Sequence, residues 1–226
     1  YGLTENPAAQ VERLKVRYDP SAYDFYWPEE VWALVRGAAS DEDGAIYLVA
    51  AFAGLRRGEL LALRWRDVDF ERRSIRVQRN YSHGSVVTPK SGKGRAVPMA
   101  PEVGQTLARL SHRSTFNGSE DLVFPGEAGE HLDGSALRRR FKKAVKRAGL
   151  RELRFHELRH TFGSLAIDRA SIVQVQAWMG HAAVSTTMRY CTTGVISTKP
   201  SYWARRSRLL LPIMATGRIG KGLGRC

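Results

Sequence analysis

Ten consecutive residues, Arg154-Phe155-His156-Glu157-Leu158-Arg159-His160-Thr161-Phe162-Gly163, hold the densest chemistry in the chain. On a helix, residues four apart share a face, so His156 and His160 stand one turn apart with Glu157 beside them. That is the His-Glu-x-x-His arrangement in which two imidazoles hold zinc and the carboxylate acts as general base. The same helix also sets His156 beside Arg159, a proton-handling imidazole next to a guanidinium, which suits phosphate chemistry. The rest of the chain has to separate the two readings.

A catalytic zinc site needs a third protein ligand. The longer protease motif wants a histidine at position 166, where the chain has Ala166, and no glutamate follows Glu157. Asp168 and His181 remain, but Asp168 lies more than two helical turns beyond His160. A zinc protease built on His156 and His160 is therefore the remote alternative, and the expectation is that the chain has no metal site.

Metal-free attack on a phosphodiester asks for several groups at once. Guanidiniums must hold the non-bridging oxygens and spread their developing charge. A nucleophile and an acid for the departing oxygen are also required. Candidates fall in separate blocks. The first is Ala53-Gly54-Leu55-Arg56-Arg57-Gly58-Glu59-Leu60-Leu61-Ala62-Leu63; the second is Thr88-Pro89-Lys90-Ser91-Gly92-Lys93-Gly94-Arg95-Ala96-Val97-Pro98. The third is the His156 stretch, and the fourth is Trp178-Met179-Gly180-His181, followed by Tyr190.

Composition favours an anionic partner. The 226 residues carry 36 Lys and Arg against 22 Asp and Glu, a formal net charge of +14. Such a balance points first to nucleic acid, although charge alone does not separate a nucleic-acid enzyme from any basic soluble protein. The longest apolar run, Ala45 to Leu55, falls short of the roughly 20 residues of a membrane span. Glu5, Asn6 and Pro7 stand where a secretory signal would be apolar. Cys191 and Cys226 make neither a disulfide framework nor a Cys-x-x-Cys site. A reduced, cytoplasmic, DNA-associated protein is expected. The chain opens on Tyr1, and we expect a fragment lacking an N-terminal region.

The elements that must position these blocks are mostly helical. Pro28, Glu29 and Glu30 start a helix running to about Ala39. A nearly apolar and therefore central helix spans about Glu42 to Ala53 and ends at Gly54. Arg56 opens a short third helix to Leu63. From Asp67 to Val97, short apolar segments broken by Arg72-Arg73, His83-Gly84 and Gly92-Lys93-Gly94 predict an antiparallel meander of about three strands, with Lys90 in a hairpin-like turn. Further helices are expected over Pro101–Arg113, from a cap at Asp133 or Ser135 to Ala148, and over His156–Ala170, Ile172–Met179 and Val184–Tyr190. The fold class is mainly α with one small antiparallel sheet. The helix to Ala148 interleaves Leu137, Phe141 and Val145 with a dense basic face. Arg138, Arg139, Lys142 and Lys143 are its candidate DNA contacts, with a solvated face as the plainer reading. Residues 1–20 read as an interdomain linker, and 196–226 as a basic, flexible tail.

Taken together and in order, the four blocks closely resemble the catalytic domain of the tyrosine recombinases, the phage integrase family, over roughly residues 25 to 191. The resemblance implies that fold for residues 21–195 and an N-terminal DNA-clamping domain that this chain lacks. It implies a site-specific recombinase that breaks and rejoins DNA through a 3′-phosphotyrosine, without metal, ATP or other cofactor. Arg56 and Arg159 would clamp the scissile phosphate, and Glu59 would orient Arg56. Lys90 would protonate the departing 5′ oxygen, with Lys93 its rival for that role and, like Arg57, a candidate DNA contact. His156 would assist proton transfer from the nucleophile, His181 would bond a phosphate oxygen, and Tyr190 would attack. His160 would support the site from behind or simply pack in the core. The implied partners are double-stranded DNA, three further copies in a homotetramer, and accessory DNA-bending proteins. A catalytically impaired DNA-binding remnant of an integrase is the alternative. A type IB topoisomerase would share the chemistry without exchanging strands.

Overall fold

The computed structural model describes residues 24–88, 94–113 and 115–191. Lys90, Lys93, the proposed linker and the basic tail lie outside these residues.

Each helix begins and ends where local chemistry allows. Helix α1 (Pro28–Arg36) has Pro28 in its first turn, and the Trp27 backbone N–H donates to Glu30 at 2.7 Å. It stops short of Ala39, closing at Gly37. In α2 (Asp41–Ala53), Ser40 accepts from the Asp43 N–H at 3.1 Å, and Gly54 ends the helix in the left-handed region, φ 64°. Helix α2 is buried almost all round and packs against α1 and two later helices, α4 (Pro101–Ser111) and α6 (Glu157–Ala166). That is the expected fate of a helix with no polar face. Helix α3 (Arg57–Leu61) is shorter than expected, and a 3-10 turn, Trp65–Asp67, follows it. Asp133 caps α5 (Gly134–Arg147) by accepting from the N–H groups of Ser135 and Ala136. The last helices are α7 (Ile172–Met179) and α8 (Val184–Met188).

The strand region differs from the single meander expected. It holds five short strands: β1 (Val68–Asp69), β2 (Ser74–Val77), β3 (Asn80–Ser82), β4 (Ser85–Val87) and β5 (Arg95–Pro98). They form two antiparallel sheets, β1-β2-β5 and β3-β4. Register in the larger sheet pairs Ile75 with both Val68 and Val97, placing apolar side chains on the core face. The smaller sheet is a hairpin whose turn, His83 and Gly84, has φ of 51° and 77°. Positive φ at both positions is the demand of a tight two-residue turn. The hairpin lies against α3 at Gly58, where an added Cβ would come within 2.3 Å of Asn80 Oδ1. The strands flanking residues 89–93, β4 and β5, therefore pair with different neighbours rather than with each other.

Two packing features hold α6 in place. Tyr47, Phe141 and Phe155 meet edge to face with centroids 5.4 to 6.3 Å apart, each pair contributing about 0.5–1.5 kcal/mol beyond its burial. They anchor the residue immediately before His156. At the other end of the contact, Phe162 lies so close to Gly54 that a Cβ there would be 2.4 Å from its ring. The end of α2 and the middle of α6 can approach only because position 54 lacks a side chain. Helix α6 itself stops at Ala166, short of Ala170, where the N–H groups of Arg169 and Ala170 converge on the Ala166 carbonyl. Among the described residues no helix is long and apolar enough to cross a membrane.

Candidate active site

The C-terminal end of α7 is the hub of the site. A helix end leaves carbonyls without partners, and three successive ones here each accept from a different arginine. Arg95 Nε donates to Trp178 O at 2.7 Å, Arg159 Nη2 to Met179 O, and Arg56 Nη2 to Gly180 O at 3.1 Å. Arg159 also donates through Nη1 to Gly54 O, the left-handed residue ending α2. The negative end of the helix dipole thus faces three guanidiniums. Gly180, φ 59°, turns the chain out of the helix directly beneath Arg95 and delivers His181 beside them.

One carboxylate serves this cluster. Glu59 is buried and accepts two hydrogen bonds from Arg95, Nη1 at 2.8 Å and Nη2 at 2.7 Å. It accepts two more from Arg56, through the backbone N–H at 2.7 Å and Nη1 at 2.9 Å. Burial alone would raise the Glu59 pKa, but the hydrogen bonds and charge of Arg95, with those of Arg56, outweigh it and hold the carboxyl below its ordinary range. Three guanidiniums against one carboxylate leave the cluster positive. Burial, then Arg56 and Arg95, depress the Arg159 guanidinium to about 9. The arrangement is an anion site with its donors already fixed. Arg95 was not singled out from the sequence. The signal was present in the Lys90 block, five residues on, where an arginine opens an otherwise apolar strand.

The histidines and Tyr190 form the other wall. His156 is the residue preceding α6 and is exposed at one edge; burial of the rest and the charge of Arg159 lower its pKa. His160 meets His156 edge-on, centroids 5.3 Å apart, and its Nδ1 lies 2.8 Å from the Tyr190 hydroxyl. His181 hydrogen-bonds Thr187 through Nδ1 at 2.9 Å and lies parallel to the Tyr190 ring. Burial, followed by neighbouring positive groups, depresses both His160 and His181 to about 4. Tyr190 is buried and follows α8, its N–H bonded to Thr187 O. Its ring rests on Gly163 of α6, where a Cβ would come within 2.7 Å.

Arg56, Glu59, His156, Arg159, His160, His181 and Tyr190 are thus brought together. The contact to the tyrosine hydroxyl expected of His156 is made by His160. Glu157, the base of the zinc reading, is buried with its carboxylate bonded to Arg154 Nε at 2.8 Å. Among the described residues no group of three His, Cys, Asp or Glu side chains is arranged to hold a metal.

The described basic candidates make contacts of their own. Arg57 is exposed and donates to Gly134 O at 3.4 Å, tying α3 to the start of α5. Arg138, Arg139, Lys142 and Lys143 are all exposed on α5, Lys142 pairing with Glu152 at 2.7 Å. Two of their neighbours are structural: Arg140 holds buried Asp43 through Nε at 2.9 and 3.0 Å, and Arg147 caps the Gly37 carbonyl.

Residues 29–194 match the phage integrase family, and the chain belongs to that family. It is 35% identical over 161 residues to a putative prophage phiRv2 integrase of Mycobacterium tuberculosis, covering 68% of this chain and 43% of the relative. It is 30% identical to a tyrosine recombinase XerC-like protein of Caldanaerobacter subterraneus, over 66% of this chain and 44% of that one. The chain thus spans less than half the length of these relatives. Among solved structures, XerA recombinase superposes with a TM-score of 0.60 at 29% identity, covering 74% of this chain and 59% of XerA. The Tn1549 transposon integrase shares the fold, with a TM-score of 0.64 at 21% identity over 77% of this chain and 63% of that one. The fold is that of a tyrosine recombinase catalytic domain, mostly helical with small antiparallel sheets. The literal match to a zinc-protease motif lies inside this family region.

Proposed function

We propose that the chain is the catalytic domain of a site-specific DNA recombinase that cleaves and rejoins strands through a 3′-phosphotyrosine at Tyr190. The observation carrying this reading is a buried tyrosine hydroxyl, held by an imidazole, beside a rigid cluster of three arginines and one glutamate. The atom held in place is a phenolic oxygen, a nucleophile able to form a covalent intermediate. Arg56 and Arg159 offer N–H groups to the non-bridging oxygens, and His181 adds a donor. Lys90 supplies the proton to the departing 5′ oxygen. The phosphotyrosine keeps the energy of the broken bond, so rejoining requires no ATP and the arginines take the place of a metal. Full strand exchange takes four protomers on two duplexes. The exposed cations of α5, with Arg57 and Lys93, are the backbone contacts available here.

Incubation with a library of duplexes, each nicked a few bases 3′ of a randomised segment, tests the proposal. Cleavage lets the short 5′-hydroxyl fragment escape and traps the protein on DNA as a band that survives denaturation. The expected adduct is abolished by Tyr190→Phe and indifferent to chelator. Salt-sensitive binding without any adduct would instead mark a DNA-binding remnant, and relaxation of supercoils by a monomer without strand exchange would mark a topoisomerase.

A further inference from the structure

Two histidines stand within one turn of α6, and they are not equivalent. Tyr190 reaches the helix because Gly163 has no side chain, which lets the phenol ring approach α6 one turn beyond His160. The His181 imidazole runs parallel to the ring, 6.2 Å away between centroids. This sets the hydroxyl 2.8 Å from His160 Nδ1, within direct proton-transfer distance, with His156 meeting His160 edge-on rather than lying between.

We propose that His160 is a catalytic residue, the base that takes the proton of Tyr190 during strand cleavage and returns it during rejoining. The inference rests on the recombinase reading and assigns the proton to a different histidine from the one the family resemblance implied. In cleavage, the O–H bond of Tyr190 breaks and its proton moves to His160 Nδ1. The phenolic oxygen bonds to phosphorus, the phosphorus–O5′ bond breaks, and O5′ takes a proton from Lys90. In rejoining, an incoming 5′ hydroxyl gives its proton to the neutral Lys90 amine and bonds to phosphorus. The phosphorus–phenol bond breaks, and the phenolate recovers its proton from Nδ1.

The surroundings suit a base that acts only with substrate in place. His160 is faced by His156, Glu157, Arg159 and Arg154 from its own segment, by His181 from beyond α7 and by Tyr190 from beyond α8. Burial, then the positive neighbours, keep the imidazole neutral without DNA, the form that accepts a proton. A phosphate seated on Arg56 and Arg159 offsets part of that positive field and raises the basicity of His160 at the moment of attack.

The test compares His160→Ala, His156→Ala and Lys90→Ala on nicked duplexes with an ordinary or a sulfur-bridged 5′ leaving group, since a thiolate departs without needing a proton. His160→Ala is expected to form adduct at least ~100-fold more slowly. The sulfur substrate should not rescue it, and its deficit should shrink as pH rises toward the phenol pKa of about 10. Lys90→Ala should be rescued by sulfur. Adduct formation by His160→Ala within a few-fold of the parent, or a deficit that sulfur repairs, overturns the assignment. A parent chain that forms no adduct while binding DNA sinks the recombinase reading instead. A second readout needs no turnover: in nitrogen-15 spectra of the imidazoles, Tyr190→Phe should shift the His160 Nδ1 resonance. An unmoved resonance overturns the contact itself.

Discussion

Arg95 and Glu59 meet as a two-pronged ion pair in the floor of the site, and the same carboxylate orients Arg56. Because Arg95 also grips the Trp178 carbonyl, one side chain ties β5 to α3 and to the end of α7. Removing one partner of a buried pair leaves the other charge uncompensated. Arg95→Ala should therefore lower stability by roughly 3–5 kcal/mol in chemical denaturation. Arg95→Lys keeps the charge but not the fork, and should recover part of the stability while leaving cleavage impaired.

Glu59 also sets an acid limit. Its folded pKa lies below the ordinary 4.5, so its contribution is present above that value and is lost as pH falls through the lower folded value. Denaturation midpoints of the parent should drop steeply in acid below about 4.5. Glu59→Gln should start lower and lose that part of the slope.

His160 and His181 act over a higher window. Each has a folded pKa of about 4 against an ordinary 6.5. Between those values the unfolded chain binds more protons than the folded one, so stability rises with pH across the window. Melting temperature should fall as pH is lowered from about 6.5 to about 4. The double variant His160→Gln/His181→Gln should flatten that slope.

Gly163→Ala separates folding from chemistry. Alanine is the better helix former by about 1 kcal/mol, yet its Cβ would come within 2.7 Å of the Tyr190 ring. The variant should keep its melting temperature within a few degrees and retain DNA binding. Adduct formation should fall at least ~10-fold because the phenol is pushed off His160. Normal cleavage by Gly163→Ala would show that Tyr190 reacts from another position.

The basic helix can be divided by experiment. Arg138→Ala and Lys143→Ala remove exposed charges, and each should reduce the salt slope of binding to a generic duplex by about one. Arg140→Ala strips the partner from buried Asp43 and should lower stability instead, since its guanidinium is already engaged.

Much of this was legible in the sequence. Local signals such as Pro28 and Gly54 placed helix ends to within a few residues, because those residues act locally. That Arg56, Glu59, His156, Arg159, His181 and Tyr190 would lie together was legible because the motif blocks keep their order and spacing. The two-sheet division was not visible, since pairing of β2 with β5 across the β3–β4 hairpin depends on contacts remote in the chain. Arg95 was hidden for the same reason: its partners, Glu59 and Trp178, lie 36 and 83 residues away. That Tyr190 contacts His160 rather than His156 depends on where Gly163 lets the ring rest, which helical spacing alone does not specify.

Mass spectrometry of the trapped adduct tests the central claim most directly. Protein captured on a nicked duplex is digested with protease and nuclease, and the peptide carrying a residual nucleotide is sequenced. The account predicts a 3′-phosphodiester on Tyr190, with none formed by Tyr190→Phe. An adduct on Cys191, a histidine or another tyrosine, or cleavage with no covalent protein at all, would contradict it.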